Sequence, residues 1–129
     1  MARKEVLNPA AVHKPTGYSH AVRKGNTLYL AGQVPLDSQG RLVGPGDIQA
    51  QTEQVIANIK AVVEAAGGGL DDIVKMTVFT TNMAYRPVIA EVRSRYFGAD
   101  SLPASTLVMI PSLAQPEFLV EIETVAELD

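Results

Sequence analysis

Glu121 and Glu123 are the first groups in this chain whose type and spacing could do chemistry. They lie in Leu119-Val120-Glu121-Ile122-Glu123-Thr124-Val125, on a strand face that is otherwise apolar. In a strand, Leu119, Glu121, Glu123 and Val125 share one face. Two readings stand. The pair can mark a solvated sheet edge, or a carboxylate in a partly buried cleft, where desolvation lifts its pKa into general acid/base range. Tyr18 opens a β-prone run and offers an aromatic body with a polar tip; such a residue commonly makes one hydrogen bond from a half-buried position. Ser19, Ser105 and Thr106 are hydroxyls with no base beside them, and no Gly-x-Ser-x-Gly elbow exists, which argues against a triad hydrolase.

Other chemistries are excluded or disfavoured by composition. There are no cysteines among the 129 residues, so disulfides, thiol nucleophiles and Cys-based zinc sites are absent. His13 and His20 lie seven apart in a Pro-rich or strand-like context, so no metal site is expected. Gly67-Gly68-Gly69 follows a helical pattern and lacks a following Lys-Ser/Thr, so it reads as a helix stop and not a phosphate loop. The net charge is −3 and the pI about 5.3. Basic residues are scattered, with Arg86, Arg93 and Arg95 the densest group, which argues against nucleic-acid binding. No run of about 18 apolar residues offers a membrane span. The N-terminal MARKEVLNP carries no apolar h-region, and a cytoplasmic location without membrane contact is expected.

The elements that must hold these residues follow from periodicity. At 129 residues and 47% hydrophobic, the chain suits one domain, 1–129, with a real core. Residues 1–17 read as irregular. Tyr18–Val22 and Thr27–Ala31 read as strands joined at Lys24-Gly25-Asn26, a hairpin turn. Residues 33–46, with Pro35, Gly40, Gly44, Pro45 and Gly46, read as a loop. Asp47 is the expected N-cap of a helix whose apolar stripe is Ile48, Val55, Ile56, Ile59, Val62, Val63 and Ala66. Gln49, Gln51, Glu53, Asn58 and Lys60 fall mostly off that stripe. Ile73–Thr80 reads as a strand, Met83–Phe97 as a second helix with Pro87 in its first turn, and Ser105–Ile110 and Leu119–Val125 as strands.

The order is β-β-α-β-α-β-β: a sheet with two helices on one face. Leu107-Val108-Met109-Ile110 is apolar without alternation, which suggests burial on both faces. Two helices cannot cover both. Either another subunit covers the open face, or the 33–46 loop folds over it.

Several segments together resemble the RidA/YjgF family of reactive-intermediate deaminases. They are Gly17-Tyr18-Ser19-His20-Ala21-Val22, Ala31-Gly32-Gln33-Val34-Pro35-Leu36-Asp37, Asn58 to Gly67, Asp72 to Phe79, Leu102-Pro103-Ala104 and Val120-Glu121-Ile122-Glu123. The resemblance implies an α+β, chorismate-mutase-like fold with a mixed sheet. It also implies a barrel-like homotrimer with small-molecule clefts between subunits. In active members it implies hydrolysis of enamines or imines to carbonyl compounds and ammonia, without metal or organic cofactor. It makes Glu121 the expected catalytic residue, positioning or activating water, and Tyr18, Gly32, Ser105 and Thr106 the expected substrate-binding residues. One departure matters. After Leu-Pro-Ala the active deaminases carry an Arg that clamps the substrate carboxylate; here that position is Ser105. Replacing a charge-assisted contact by one neutral hydrogen bond costs about 1.5–3 kcal/mol, or roughly one to two orders of magnitude in binding. Glu91 also falls near a position where a neutral Asn is common. The resemblance therefore leaves three functions: a deaminase of altered specificity, with Arg86 or Arg93 as the substitute group; a non-catalytic ligand-binding trimer; and a ribonuclease, which the acidic pI disfavours.

Overall fold

The computed structural model describes residues 3–129. Its strands are β1 (Glu5–Leu7), β2 (Ala21–Lys24), β3 (Thr27–Gln33), β4 (Ile73–Thr80), β5 (Ala104–Met109) and β6 (Val120–Glu127). Two α-helices, α1 (Ile48–Ala65) and α2 (Arg86–Ser94), are found among the described residues. The sheet order is β1-β2-β3-β6-β4-β5, antiparallel throughout except for the parallel β4–β5 pair. The β4-α2-β5 segment is the parallel crossover, and that pair makes the sheet mixed. The architecture is the expected α+β one, with one strand more. Glu5–Leu7, inside the segment read as irregular, pairs with β2. Residues 1 and 2 of that segment lie outside the described residues.

The hairpin forms where the turn residues place it: Lys24 pairs with Thr27, and Gly25 takes φ +61°, a conformation that penalises a Cβ. Asp47 caps α1 by accepting the Ala50 N–H at 3.1 Å. The stripe residues Val55, Ile56, Ile59, Val62 and Val63 are at most 1% exposed and pack on Leu28, Leu30, Met76, Val78, Val120 and Ile122 from the sheet. Each such side chain contributes about 1.5–3 kcal/mol by leaving water. Ahead of α2, Asn82 caps a single 3-10 turn, Met83–Tyr85, and the α-helix proper ends at Ser94, three residues short of the expected Phe97.

Two polar residues assigned to the outer face of α1 are instead buried. Gln51 donates to the carbonyls of Gly44 (3.1 Å) and Glu117 (3.0 Å) and accepts the Leu119 N–H at 2.8 Å. Asn58 donates to the carbonyls of Val34 and Leu36, both at 3.0 Å. They tie the 33–46 loop and the approach to β6 onto the helix, and the loop borders the open sheet face beside Glu121 without covering the exposed Val6 and Tyr29.

That face stays uncovered in a single copy. One cross-strand row on it, Val6, Val22, Tyr29 and Val125, is largely apolar, with Val6 and Tyr29 more than half exposed. The apolar run in β5 is not buried within the chain. β5 is an edge strand, and Val108 and Met109 are exposed because no later strand pairs beyond it. No helix among the described residues is long and apolar enough to cross a membrane.

Candidate active site

β6 alternates strictly. Val120, Ile122, Thr124 and Ala126 are buried toward the helices, which forces Glu121, Glu123, Val125 and Glu127 onto the open face. Across the ladder Glu121 pairs with Phe79 of β4. On its other side β3 carries an irregularity between Leu30 and Gln33. There the Glu121 carboxylate lies directly over Gly32: a Cβ on Gly32 would fall 2.7 Å from Glu121 Cδ and closer still to Oε2. Gly32 is thus the residue that admits the carboxylate.

Glu121 lines an open cleft of about 760 Å³ with Tyr18, His13, Ala31, Gly32, Leu36 and Phe118. Burial pushes its pKa above the usual carboxylate range, and the Glu123 charge two residues along adds to that. The Tyr18 hydroxyl is raised too, first by burial and then by Glu121. β2 begins at Ala21 and not at the expected Tyr18, and the segment before it, most of it expected to be irregular, is anchored to this site. Asn8 Oδ1 accepts the His20 N–H at 2.8 Å. The buried His20 ring donates from Nε2 to the His13 carbonyl at 2.6 Å, and its Nδ1 lies 3.1 Å from Gln33 Nε2. With both nitrogens engaged, His20 is a packing residue. His13 Nε2 lies 3.0 Å from the Tyr18 hydroxyl. Burial, and then His20, lower the pKa of His13, so its ring is neutral at neutral pH. His13 is the cleft residue that sequence reasoning missed. Its seven-residue spacing from His20 points to no site, whereas its partner is Tyr18, five residues on.

Ser105 lies elsewhere. It pairs with Met76, whose side chain is buried under the helices, so Ser105 is on the helix side of β5, opposite the face that carries Glu121. Its Oγ accepts a hydrogen bond from Arg93 of α2 at 2.8 Å. Thr106 pairs with Thr77, itself opposite Glu123, and so projects from the open face, exposed. Glu91, suspected of opposing a carboxylate, points outward and pairs with Arg95 at 2.9 Å, so its charge is spent on the surface. A single copy therefore unites Tyr18, Gly32 and Glu121, and holds Ser105 and Arg93 apart from them.

Comparisons with known proteins bear on the family and the fold. The family model described as Endoribonuclease L-PSP matches residues 9–128. A RutC family protein of Pyrococcus horikoshii is 43% identical over 124 residues, 95% of this chain and 97% of the relative. A 2-iminobutanoate/2-iminopropanoate deaminase of Dermatophagoides farinae is 33% identical, with both chains fully covered. Among solved structures, RidA from an Antarctic Psychrobacter superposes with a TM-score of 0.87 at 35% identity, over 95% of this chain and 98% of that one. TdcF of E. coli, solved with bound serine, gives 0.88 at 28% identity, over 97% and 99%.

Proposed function

From the membership of this chain in the RidA/YjgF (Endoribonuclease L-PSP) family, we propose that it acts, as a single domain in a homotrimer, as an enamine/imine deaminase. The observation that carries this reading is the Glu121 carboxylate, desolvated over Gly32 beside Tyr18 in an open cleft. Desolvation makes a carboxylate more basic, which is what deprotonating a weakly acidic water requires.

The steps follow from that base. Water held by Glu121 attacks the electrophilic carbon of the C=N bond. Its proton passes to the carboxylate while a C–O bond forms, giving a tetrahedral carbinolamine. The imine enters protonated on nitrogen, so the proton that Glu121 returns makes that nitrogen an ammonium leaving group. As the C–N bond breaks, Glu121 takes the hydroxyl proton of the carbinolamine and the carbonyl compound leaves. Glu121 then passes the proton to ammonia, which departs as ammonium. An enamine enters the same sequence as its imine tautomer. Tyr18, held by His13, orients the nitrogen or the water by its hydroxyl. No group outside the chain is needed for proton balance.

The trimer is inferred from the open face. The row from Val6 to Val125, together with Phe79 and Val108, leaves an apolar surface that a second copy would cover. Assembly would also bring the helix side of one β5 edge against the Glu121 face of a neighbour. The test is ammonia release from a panel of imines generated by an amino-acid oxidase, with Glu121→Gln as the control. A protein no faster than that variant on every substrate would leave a non-catalytic, ligand-binding trimer. That second reading draws on Ser105, which stands where active deaminases carry Arg. An RNA substrate is disfavoured by the net charge of −3.

A further inference from the structure

Arg93 is a half-buried cation without an anion. Its Nη1 donates to Ser105 Oγ at 2.8 Å and lies 3.7 Å from Met76 Sδ. Among the described residues the ion pairs found both belong to Arg95, with Glu53 and Glu91, and none involves Arg93. The other charge acting on it is a like one, Arg86, two turns back on the same face of α2. A guanidinium carries five N–H donors, and most of those on Arg93 have no protein acceptor. Removing such a group from water is costly unless an anion accompanies it.

The surroundings are shaped for a small anion. Arg86, Arg93 and Ser105 line a hollow of about 320 Å³ with Ile89, Ala90 and Leu107. Arg93 and Ser105 also border a second hollow of about 380 Å³, walled by Met76, Phe97, Leu102 and Pro103. The Ser105 oxygen accepts from Arg93, which leaves its own O–H free to donate to the same anion. An arginine at position 105 would meet the Arg93 guanidinium and repel it.

We propose that Arg93, positioned by Ser105 and reinforced by Arg86, is the carboxylate-binding group of this protein, a guanidinium supplied from α2 in place of one on β5. The ligand class is a small monocarboxylate with a short aliphatic side chain: the carboxylate forks onto Arg93 and the side chain enters the apolar hollow. Its use for imine substrates rests on the deaminase reading above; the anion site does not.

Calorimetry with 2-oxobutanoate as a stable carboxylate probe, and butanone as its neutral control, tests the site in the intact protein. Arg93→Gln should weaken 2-oxobutanoate binding roughly 10- to 100-fold. Arg93→Lys keeps the charge but loses the fork and should fall between. Ser105→Arg alone should bind no more tightly than the natural protein. The exchanged double variant, Arg93→Ser with Ser105→Arg, should recover affinity to within about threefold, a rescue that a merely structural role for Ser105 would not produce. Unchanged affinity in a folded Arg93→Gln, or failure of the natural protein to bind 2-oxobutanoate, overturns the proposal. Arg93-dependent binding without turnover of iminopropionate would remove the deaminase reading and leave the anion site. Turnover that survives Arg93→Gln would do the reverse.

Discussion

The Glu121 carboxylate lies across the backbone of Gly32 so closely that a β-carbon there would overlap it. The backbone of Gly32 does not sit in the left-handed region, so alanine is conformationally acceptable and its nearest conflicts are all with the Glu121 side chain. Gly32→Ala should therefore fold normally while swinging the carboxylate out of the cleft. The expected result is a loss of at least about tenfold in kcat, because a general base must stay within hydrogen-bond reach of its proton, with a denaturation midpoint close to that of the natural protein. A Gly32→Ala protein of full activity would mean that the base is not Glu121.

Glu121→Gln separates function from stability. Removing the base should cost roughly 10²–10⁴-fold in rate. Burial raises the pKa of Glu121 in the folded protein, so the folded state binds its proton more tightly than the unfolded chain does. The ionised group therefore opposes folding above its folded pKa, and that cost fades as pH falls toward the unfolded value of about 4.3. Glutamine should stabilise the protein at pH 8, and the gain should shrink by pH 4. Under the deaminase reading, activity of the natural protein should decline on acidification, beginning above the ordinary carboxylate range. Melting curves of both proteins at the two pH values, and a pH–rate profile, check each sign. Should Glu121→Gln retain turnover, Glu123 on the same face is the next base to remove.

The shared face of Glu121 and Glu123 on β6 was legible because strand residues two apart project the same way, although Thr124 and Val125 interrupt the apolar–polar alternation. Asp47, the α1 stripe and the Gly25 turn were legible for the same kind of reason: the signal is local. Three features were not. β1 is three residues long and shows no alternation of its own, so only its pairing with β2 defines it. Gln51 and Asn58 read as outward-facing because polarity stands in for exposure in a stripe argument, yet each is buried by satisfying loop carbonyls far along the chain. Most consequential, the resemblance puts Ser105 and Glu121 at inter-subunit clefts, but that they occupy opposite faces within one chain follows from the pairing of β4 with β5 and β6, which is a tertiary fact.

Gln51 is accordingly a stability determinant with a functional consequence. Gln51→Leu keeps volume but strands the Leu119 N–H, which enters β6 two residues before Glu121. Leaving one such buried group unpaired costs about 1–3 kcal/mol. The urea midpoint should drop accordingly, and activity should fall with it as the β6 approach loosens. Gln49→Leu, at an exposed position on the same helix, should change neither. Equal effects from the two substitutions would show that the buried hydrogen bonds of Gln51 contribute nothing specific.

The separation of the two half-sites can be tested by mixing them. If each working cleft takes Glu121 from one copy and Arg93 with Ser105 from its neighbour, then Glu121→Gln and Arg93→Gln chains damage different halves of the same site. Each variant alone should form trimers of three 13.8 kDa chains and be slow on iminopropionate. Co-expressed with different affinity tags and purified through both, mixed trimers contain interfaces at which an intact Glu121 meets an intact Arg93. For random assembly of equal amounts in a closed ring, about one interface in four is of that kind, so an unselected mixture should regain about a quarter of natural activity. Native mass spectrometry gives the composition and an ammonia assay gives the rate. Mixed trimers that form yet stay as slow as their parents would place both groups in a cleft of one chain, which the opposed faces of β5 and β6 argue against. A stable 13.8 kDa monomer at micromolar concentration would remove the shared cleft altogether.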